Sequence, residues 1–243
     1  MKRQNVRRGI LLTAFLLFPI TIWYFSPYLI IAGAIQHSIT GSFIVFLLML
    51  VISPFLGRVF CAYLCPAGGV QECAFPVNGK NPRQGRRNYI KYVIWGCWIT
   101  AVVVCFILGK NSITIHPFFM TDHGISVSNI YAYVVYYGVL FLIIVPAFIS
   151  GKRTFCHYFC WMAPFMVLGS LFGRLLHLNQ IHIAVDKKEA CTGCRLCNKN
   201  CPMGLDVAAL IPSGAILHTE CIQCGSCVDN CPQKVLSYSF GLI

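Results

Sequence analysis

The sequence predicts an α-helical integral membrane protein, four transmembrane helices in two tandem hairpin repeats, joined to a small C-terminal α+β domain. Three observations carry that expectation. Of 243 residues, 57% are hydrophobic and only 11% charged, at a mean hydropathy of +0.70, outside the range of ordinary soluble domains. Four apolar runs each approach the ~20 residues needed to cross a bilayer core. Finally, eight of the fifteen cysteines crowd into the polar tail from Cys191 onward.

That tail reads C-T-G-C-R-L-C-N-K-N-C-P from Cys191 and C-I-Q-C-G-S-C-V-D-N-C-P from Cys221. Two copies of C-x₂-C-x₂-C-x₃-C-P are the bacterial two-cluster ferredoxin pattern, in which the fourth thiolate of each copy reaches the other cluster. The first 4Fe–4S cluster would take Cys191, Cys194, Cys197 and Cys231, and the second Cys221, Cys224, Cys227 and Cys201. Gly193, Gly225 and Ser226 are small enough for the backbone to close around an inorganic core. Zinc fits poorly, because it favours well-separated cysteine pairs. A disulfide scaffold belongs to short secreted chains.

Charge places the apolar runs in a membrane. Residues 1–183 hold fourteen Lys/Arg against Glu72 and Asp122 alone, whereas the tail holds five charges of each sign. Such an excess speaks for topology and anionic headgroups, and no nucleic-acid motif accompanies it. The first run, from Ile10 to about Ile35, is too long for a signal peptide and reads as an uncleaved transmembrane helix. The others cover about Ile39–Leu56, Tyr89–Leu108 and Ile130–Ile149. Basic residues cluster before the first run, between the second and third (Arg58, Lys80, Arg83, Arg86, Arg87, Lys91) and after the fourth (Lys152, Arg153), with Lys110 alone between the third and fourth. Both termini are therefore expected in the cytoplasm, with residues 34–40 and 110–129 outside an inner (cytoplasmic) membrane. The apolar segment Trp161–Leu178, interrupted by Gly169, Gly173 and Arg174, reads as a re-entrant or interfacial helix. The domains expected are a membrane part (1–160), this connecting helix (161–183) and the ferredoxin domain (184–243).

An internal repeat runs through the membrane part. Gly57-Arg-Val-Phe-Cys61-Ala-Tyr-Leu-Cys65 follows the second run, and Lys152-Arg-Thr-Phe-Cys156-His-Tyr-Phe-Cys160 follows the fourth, so that Arg58 matches Arg153 and Tyr63 matches Tyr158. Cysteines four apart share a helical face, and pseudo-symmetry would bring Cys61, Cys65, Cys156 and Cys160 to one centre. That centre could hold a further iron–sulfur cluster or a soft metal such as copper, act as redox dithiols, or be plain packing. His157 is a candidate neighbour of it. Cys97 and Cys105 read as buried small hydrophobes, and Cys73 as ambiguous. His37, His116 and His123 belong to the outer loops as ordinary solvated residues or proton carriers, and Glu72 is either a proton carrier or a surface carboxylate. Tyr131, Tyr133, Tyr136 and Tyr137 form an interfacial belt.

Taken together, the apolar runs, the G-R-x-F-C-x₃-C-P motif, the second C-x₃-C and the two-cluster tail resemble the NapH-type membrane ferredoxins of periplasmic nitrate reductase systems and their relatives in the NosR/CcoG group. The second motif departs from the pattern in having Trp161 where proline follows the first. The resemblance implies a component of a quinol dehydrogenase, relaying electrons between the quinone pool and a partner redox protein. Its CcoG side implies instead a factor that binds and reduces copper at the C-x₃-C pairs. A third expectation is a membrane anchor that recruits redox subunits.

Overall fold

A computed structural model describes residues 2–82, 84–109 and 112–242; Arg83 and Lys110, two of the charges counted for topology, lie outside the described residues. The chain opens with α1 (Lys2–Leu16), which bends by 59° into α2 (Phe18–Thr21) and a turn of 3₁₀ helix. Pro19 lies in the first turn of α2 and Pro27 begins α3 (Pro27–Ile35). Proline is tolerated in a first turn, where its missing N–H would go unused, but it cannot continue the helix before it. The run expected as one helix to Ile35 is therefore three pieces. The backbone freed at the bend is met by the loop ahead of α8: Ser126 and Val127 donate their N–H groups to Ile20 and Pro19 at 3.1 Å, and Ser126 Oγ donates to Ile20 at 2.6 Å.

Next come β1 (Ser38–Thr40), α4 (Gly41–Leu56) and, further on, α7 (Ile90–Leu108), β2 (Thr114–His116) and α8 (Ile130–Ser150). Strands β1 and β2 pair in parallel and tie the two expected outer loops together. Thr40 and Asn129 cap α4 and α8, their side chains accepting from Phe43 N–H and Ala132 N–H. Among the described residues α7 and α8 are long and apolar enough to cross a membrane, and the bent α1–α2 pair makes a third candidate. At 16 residues α4 is shorter than a full span, because Gly57, at φ +55°, ends it. The protein is thus mostly helical with two to three candidate spans, against the four expected.

After α4 and after α8 the chain performs the same manoeuvre. Each helix stops at a glycine with positive φ, Gly57 or Gly151. A five-residue helix follows, α5 (Val59–Tyr63) or α9 (Thr154–Tyr158), and the chain then turns and returns as α6 (Pro66–Cys73) or α10 (Ala163–Leu175). Helix α6 lies antiparallel to α1, with Glu72 against Arg7 and Gly69 so close that a Cβ there would stand 2.5 Å from the Leu11 carbonyl oxygen. Helix α10 runs parallel to α4: Phe165 meets Phe46 at 5.4 Å between ring centres, and a Cβ on Gly169 would stand 1.8 Å from Ser53 Oγ. A Cβ on Gly173 would stand 2.5 Å from the Pro54 carbonyl oxygen. Small residues four apart let two helix backbones close on each other. The segment expected as a lone connecting helix is the counterpart of α6 in the second repeat.

The C-terminal part is built on β3 (Gln180–Val185) and β4 (Leu236–Gly241), antiparallel with Gln180 opposite Gly241 and Val185 opposite Leu236. Three short helices lie between them: α11 (Leu196–Lys199), α12 (Val207–Leu210) and α13 (Ser226–Asp229). This part docks on the ends of α1, α4 and α8. Arg3 pairs with Asp229 at 2.7 Å, Arg58 with Glu220 at 3.0 Å, and Lys152 Nζ donates to the Lys199 carbonyl at 2.8 Å. The three basic clusters counted for topology thus meet the tail on one face.

Candidate functional site

The two cysteine loops of the tail share one backbone, although their glycines stand at different places. The third position of each motif is left-handed, at Gly193 (φ 68°) and Gln223 (φ 55°), and so is the fifth, at Arg195 (φ 56°) and Gly225 (φ 68°). The correspondence recurs past the fourth cysteine, at Gly204 (φ 62°) and Lys234 (φ 50°). Alternating right- and left-handed residues gather backbone N–H groups into a concave nest suited to an anionic centre. Arg195, Gln223 and Lys234 accept a conformation that costs a non-glycine residue free energy, as expected where surrounding structure over-determines the loop.

Cysteines from both motifs line each of two separate cavities. One is lined by Cys191, Cys194, Cys197 and Cys231. The other is lined by Cys221, Cys224, Cys227 and Cys201. Burial pushes the thiols of Cys201 and Cys221 up to about 12 and about 11, with neighbouring cysteines adding to the shift. A bound cationic iron core would reverse that preference and hold the sulfurs as thiolates. Among the described residues, no three His, Cys, Asp or Glu side chains converge tightly enough to grip a single ion. Sulfurs spread around a cavity suit a polynuclear centre better than zinc, whose ligands sit about 2.3 Å from one atom.

The C-x₃-C cysteines also gather, though not by the expected route. Neither pair lies on one helix: α5 ends before Cys65, which is extended (φ −74°, ψ 116°) and caps α6, and Cys160 lies beyond α9. Each pair straddles the tip of its returning segment. All four sulfurs are buried, and Cys65 is near enough to Cys61, Cys156 and Cys160 that, after burial, their charges push its thiol further up. Cys61 Sγ reaches Met166 Sδ at 3.8 Å, and Gln71 Nε2 donates to Cys156 Sγ at 3.2 Å.

Family models place these motifs. A model described as a 4Fe-4S dicluster domain matches residues 190–236. A second, described as a 4Fe-4S binding domain, matches residues 39–84 and again 131–179, one match for each C-x₃-C. An uncharacterized protein of Methanocaldococcus jannaschii is 26% identical over 98% of this chain and 89% of its own length. The ferredoxin-type protein NapH of Haemophilus influenzae is 21% identical over 75% of this chain and 62% of its own. The methylamine utilization ferredoxin-type protein MauN of Paracoccus denitrificans is 23% identical over 73% and 60%. The chain is similar to the NapH-type group of membrane ferredoxins. It is an iron–sulfur electron-transfer protein of the membrane. No solved structure matches it.

The two cysteine cavities sit unequally. Cys191 and Cys194 are exposed, whereas the Cys221–Cys227 loop faces the membrane part. Gln4 Nε2 donates to the Cys224 carbonyl at 3.0 Å, the Arg58 N–H to Gln223 Oε1 at 3.1 Å, and Tyr238 Oη to the Gln223 carbonyl at 2.7 Å. Gly57 suits this contact, since its φ of +55° strains other residues and a Cβ would stand 2.4 Å from Gln223 Nε2 and displace that side chain.

Two buried ion networks, absent from the sequence reading, brace this region: one crosses to the ferredoxin domain and the other ties α1, α6 and the start of α9 together. Glu220 takes Arg58 and Lys91, and Glu72 takes Arg7 through two bonds of 2.7 Å and Arg153 at 2.5 Å. Burial alone would raise the Glu220 carboxyl, but Arg58 and Lys91 override it and hold it at about 2. Glu72, expected on the surface or carrying protons, is committed to this pairing. Lys91, counted as a topology charge, is fully buried. His157 Nε2 bonds the Met203 carbonyl at 2.9 Å, and burial holds its ring at about 4, hence neutral. A basic residue flanking each C-x₃-C was legible; its carboxylate partner far along the chain was not.

Other expectations are corrected. His37 is buried against Phe106, while His116 and His123 are exposed. Cys97 is exposed and Cys105 half-buried, because α7 turns much of its surface outward, and Cys73, at the end of α6, is exposed. Tyr136 packs on Phe18 at 5.8 Å, whereas Tyr131 is 81% exposed. Between α2–α3 and α8 lies an apolar cavity of about 620 Å³. It runs from Asn129 and Tyr131 to Ala67, Phe155, Trp161 and Met162, immediate neighbours of the C-x₃-C cysteines.

Proposed function

We propose that the protein is the membrane subunit of a quinol dehydrogenase and relays electrons between the quinone pool and a soluble redox partner. The ligand sets are Cys191, Cys194, Cys197 and Cys231 for the cluster away from the membrane, and Cys221, Cys224, Cys227 and Cys201 for the one beside it. The observation that carries this reading is the pair of cavities, each bounded by three sulfurs of one motif and the fourth of the other. When bound, the clusters supply one-electron carriers; the chain holds the thiolates, turns N–H groups toward them and shields the inner site.

The membrane part is 1–160, the returning helix 161–183 and the ferredoxin domain 184–243. Four passes, the fourth made by α4 with a local thinning or tilt, put both termini on the cytoplasmic face of the inner membrane. The apolar cavity beside Trp161 fits a quinol headgroup, whose oxidation to the quinone would release two electrons to successive one-electron carriers and two protons toward the polar end at Asn129. Exposure of Cys191 and Cys194 suits an electron partner at the far end. The copper-factor reading has less support, because no described cysteine set closes around one ion.

The test is reduction of the visible iron–sulfur absorbance in membrane vesicles by a short-chain quinol, with dithionite as the reference. Quinol-dependent bleaching is expected. Clusters that respond to dithionite and never to quinol, with purified protein binding stoichiometric copper, would sink the proposal.

A further inference from the structure

The ferredoxin domain is internally duplicated, so that residues 30 apart take corresponding places: Cys191 answers to Cys221, Cys194 to Cys224, Cys197 to Cys227 and Cys201 to Cys231. One copy shows how a surface settles on a cysteine loop. Around the inner cavity, Asp229 and the Gly225 carbonyl take Arg3 of α1 at 2.7 and 3.4 Å, and Gln223 Oε1 takes the Arg58 N–H. A Cβ on Gly204 would stand 2.9 Å from Asn81 Cβ. Neutral and acidic residues of this loop thus meet a basic surface of the membrane part.

The outer loop has the opposite sign at the same places. Arg195 stands where the inner loop has Gly225, Lys199 where it has Asp229, Lys234 where it has Gly204, and Lys188 where it has His218. These bases adjoin the outer cysteines. The Cys191 N–H donates to the Lys188 carbonyl at 3.2 Å, the Lys234 N–H to the Cys231 carbonyl at 3.2 Å, and Arg195 follows Cys194 directly. Lys199, at the edge nearest the membrane part, donates its N–H to the Arg195 carbonyl at 3.1 Å. All four residues and Lys187 are exposed, and none of the five forms an ion pair among the described residues.

Within this rim the surface is open and partly apolar. A Cβ on Gly193 would meet nothing within 4 Å, whereas its counterpart Gln223 is bonded to the membrane part. Leu196 is 39% exposed against 8% for its counterpart Ser226. The domain holds five acids as well as five bases, but Glu220 and Asp229 are paired with Arg58, Lys91 and Arg3. Five bases are left facing Asp186, Glu189 and Asp206, a net positive rim. An apolar centre inside a charged rim is the anatomy of a protein docking surface, and charge of one sign steers a partner of the other.

We propose that Lys187, Lys188, Arg195, Lys199 and Lys234 form the docking face for a soluble one-electron carrier whose redox centre is ringed by carboxylates. The proposal rests on reading the chain as an iron–sulfur relay and names the partner class at its exposed end. Four thiolates make a cluster anionic, so an acidic carrier would be repelled there without such a rim. Each encounter moves one electron: the outer cluster changes by one redox level and the partner by one in the opposite sense. Leu196 supplies contact and the bases supply orientation.

The experiment uses the full holoprotein in discs of neutral lipid, its clusters reduced with dithionite and freed of excess, with oxidised flavodoxin as the acidic probe and cytochrome c as the basic one. Stopped-flow oxidation by flavodoxin should slow about tenfold between about 20 mM and about 300 mM salt, as screening shortens the reach of the rim, while oxidation by cytochrome c should quicken. Lys188→Gln/Arg195→Gly/Lys234→Gly, with glycine at the two left-handed places, should lower the low-salt flavodoxin rate about tenfold and keep iron content and both cluster signals. Carbodiimide coupling, which needs no electron transfer, should join flavodoxin carboxylates to Lys187, Lys188, Lys199 or Lys234. Opposite salt slopes for the two probes, or cross-links confined to lysines of the membrane part, would overturn the docking face and leave the relay standing. So would a triple variant that keeps the native flavodoxin rate but no longer binds phosphatidylglycerol vesicles, which assigns the rim to a lipid surface. Iron-free protein would overturn both.

Discussion

Arg58 and Glu220 stand 162 positions apart in the chain and form a buried ion pair at 3.0 Å, the central bolt between the membrane part and the ferredoxin domain. Lys91 completes the triad from the start of α7. Three distant segments are thereby held in one register, which electron transfer over short distances requires.

Glu220→Gln should cost about 3–5 kcal/mol, because it leaves Arg58 and Lys91 as buried charges without a counter-ion. Limited proteolysis in detergent should release the ferredoxin domain far faster than in the native protein. Lys91→Met combined with Glu220→Gln should recover only part of the loss, since Arg58 remains. Unaltered proteolysis of the single variant would show that the triad does not hold the domains together.

The same carboxylate sets a pH dependence. Its folded pKa, about 2, lies below the ordinary 4.5, so its contribution is fully present above 4.5 and is lost as pH falls through about 2. Thermal unfolding of Glu220→Gln should consequently differ from the native protein at neutral pH and converge with it in acid. A difference that stays constant across that window would contradict the assignment.

Crossed ligation makes a spectroscopic prediction. Cys231→Ser should damage the same cluster signal as Cys194→Ser, and Cys201→Ser the same signal as Cys224→Ser, because each pair bounds one cavity. Electron paramagnetic resonance of the reduced variants checks it. Grouping by motif, with Cys201 behaving as Cys194 does, would refute the interleaving.

Gly169→Leu should separate α10 from α4, since even a Cβ would stand 1.8 Å from Ser53 Oγ and 2.7 Å from the Leu50 carbonyl. Overpacking of this kind costs about 1–3 kcal/mol or more. The expected readout is a lowered melting temperature in detergent, with Ser53→Gly restoring part of it for the smaller Gly169→Ala.

Filling the apolar cavity separates the two ends of the relay. Ala132→Trp, on the α8 wall, should abolish reduction by quinol while leaving dithionite reduction and iron content unchanged. Equal rates with quinol in the variant would remove this cavity from the pathway.

Much of the tail was legible because ligand spacing is a local property: a cubane dictates C-x₂-C-x₂-C-x₃-C-P whatever surrounds it. The repeat was legible too, as a recurrence of Arg58-x-Phe60-Cys61 in Arg153-x-Phe155-Cys156. The span count was less so. The prolines at 19 and 27 visibly interrupt the first apolar run, but neither they nor hydropathy say how sharply the chain bends there or that Gly57 stops α4 short. The returning helix α10 resembled an isolated amphipath because its partner surface, Leu50–Pro54, lies more than a hundred residues earlier.

Residue order alone determined the chemistry on offer: eight thiols in two loops, four more in two matched turns, and an apolar chain to carry them. Folding decided which of those groups meet. Glu72 reads as a proton carrier or a surface carboxylate, and Glu220 as an ordinary polar residue, until packing sets them against Arg7, Arg153, Arg58 and Lys91. Ligand spacing is enforced over a few covalent bonds, whereas a buried charge finds its partner only through the packing of the whole chain, and that information no local pattern contains.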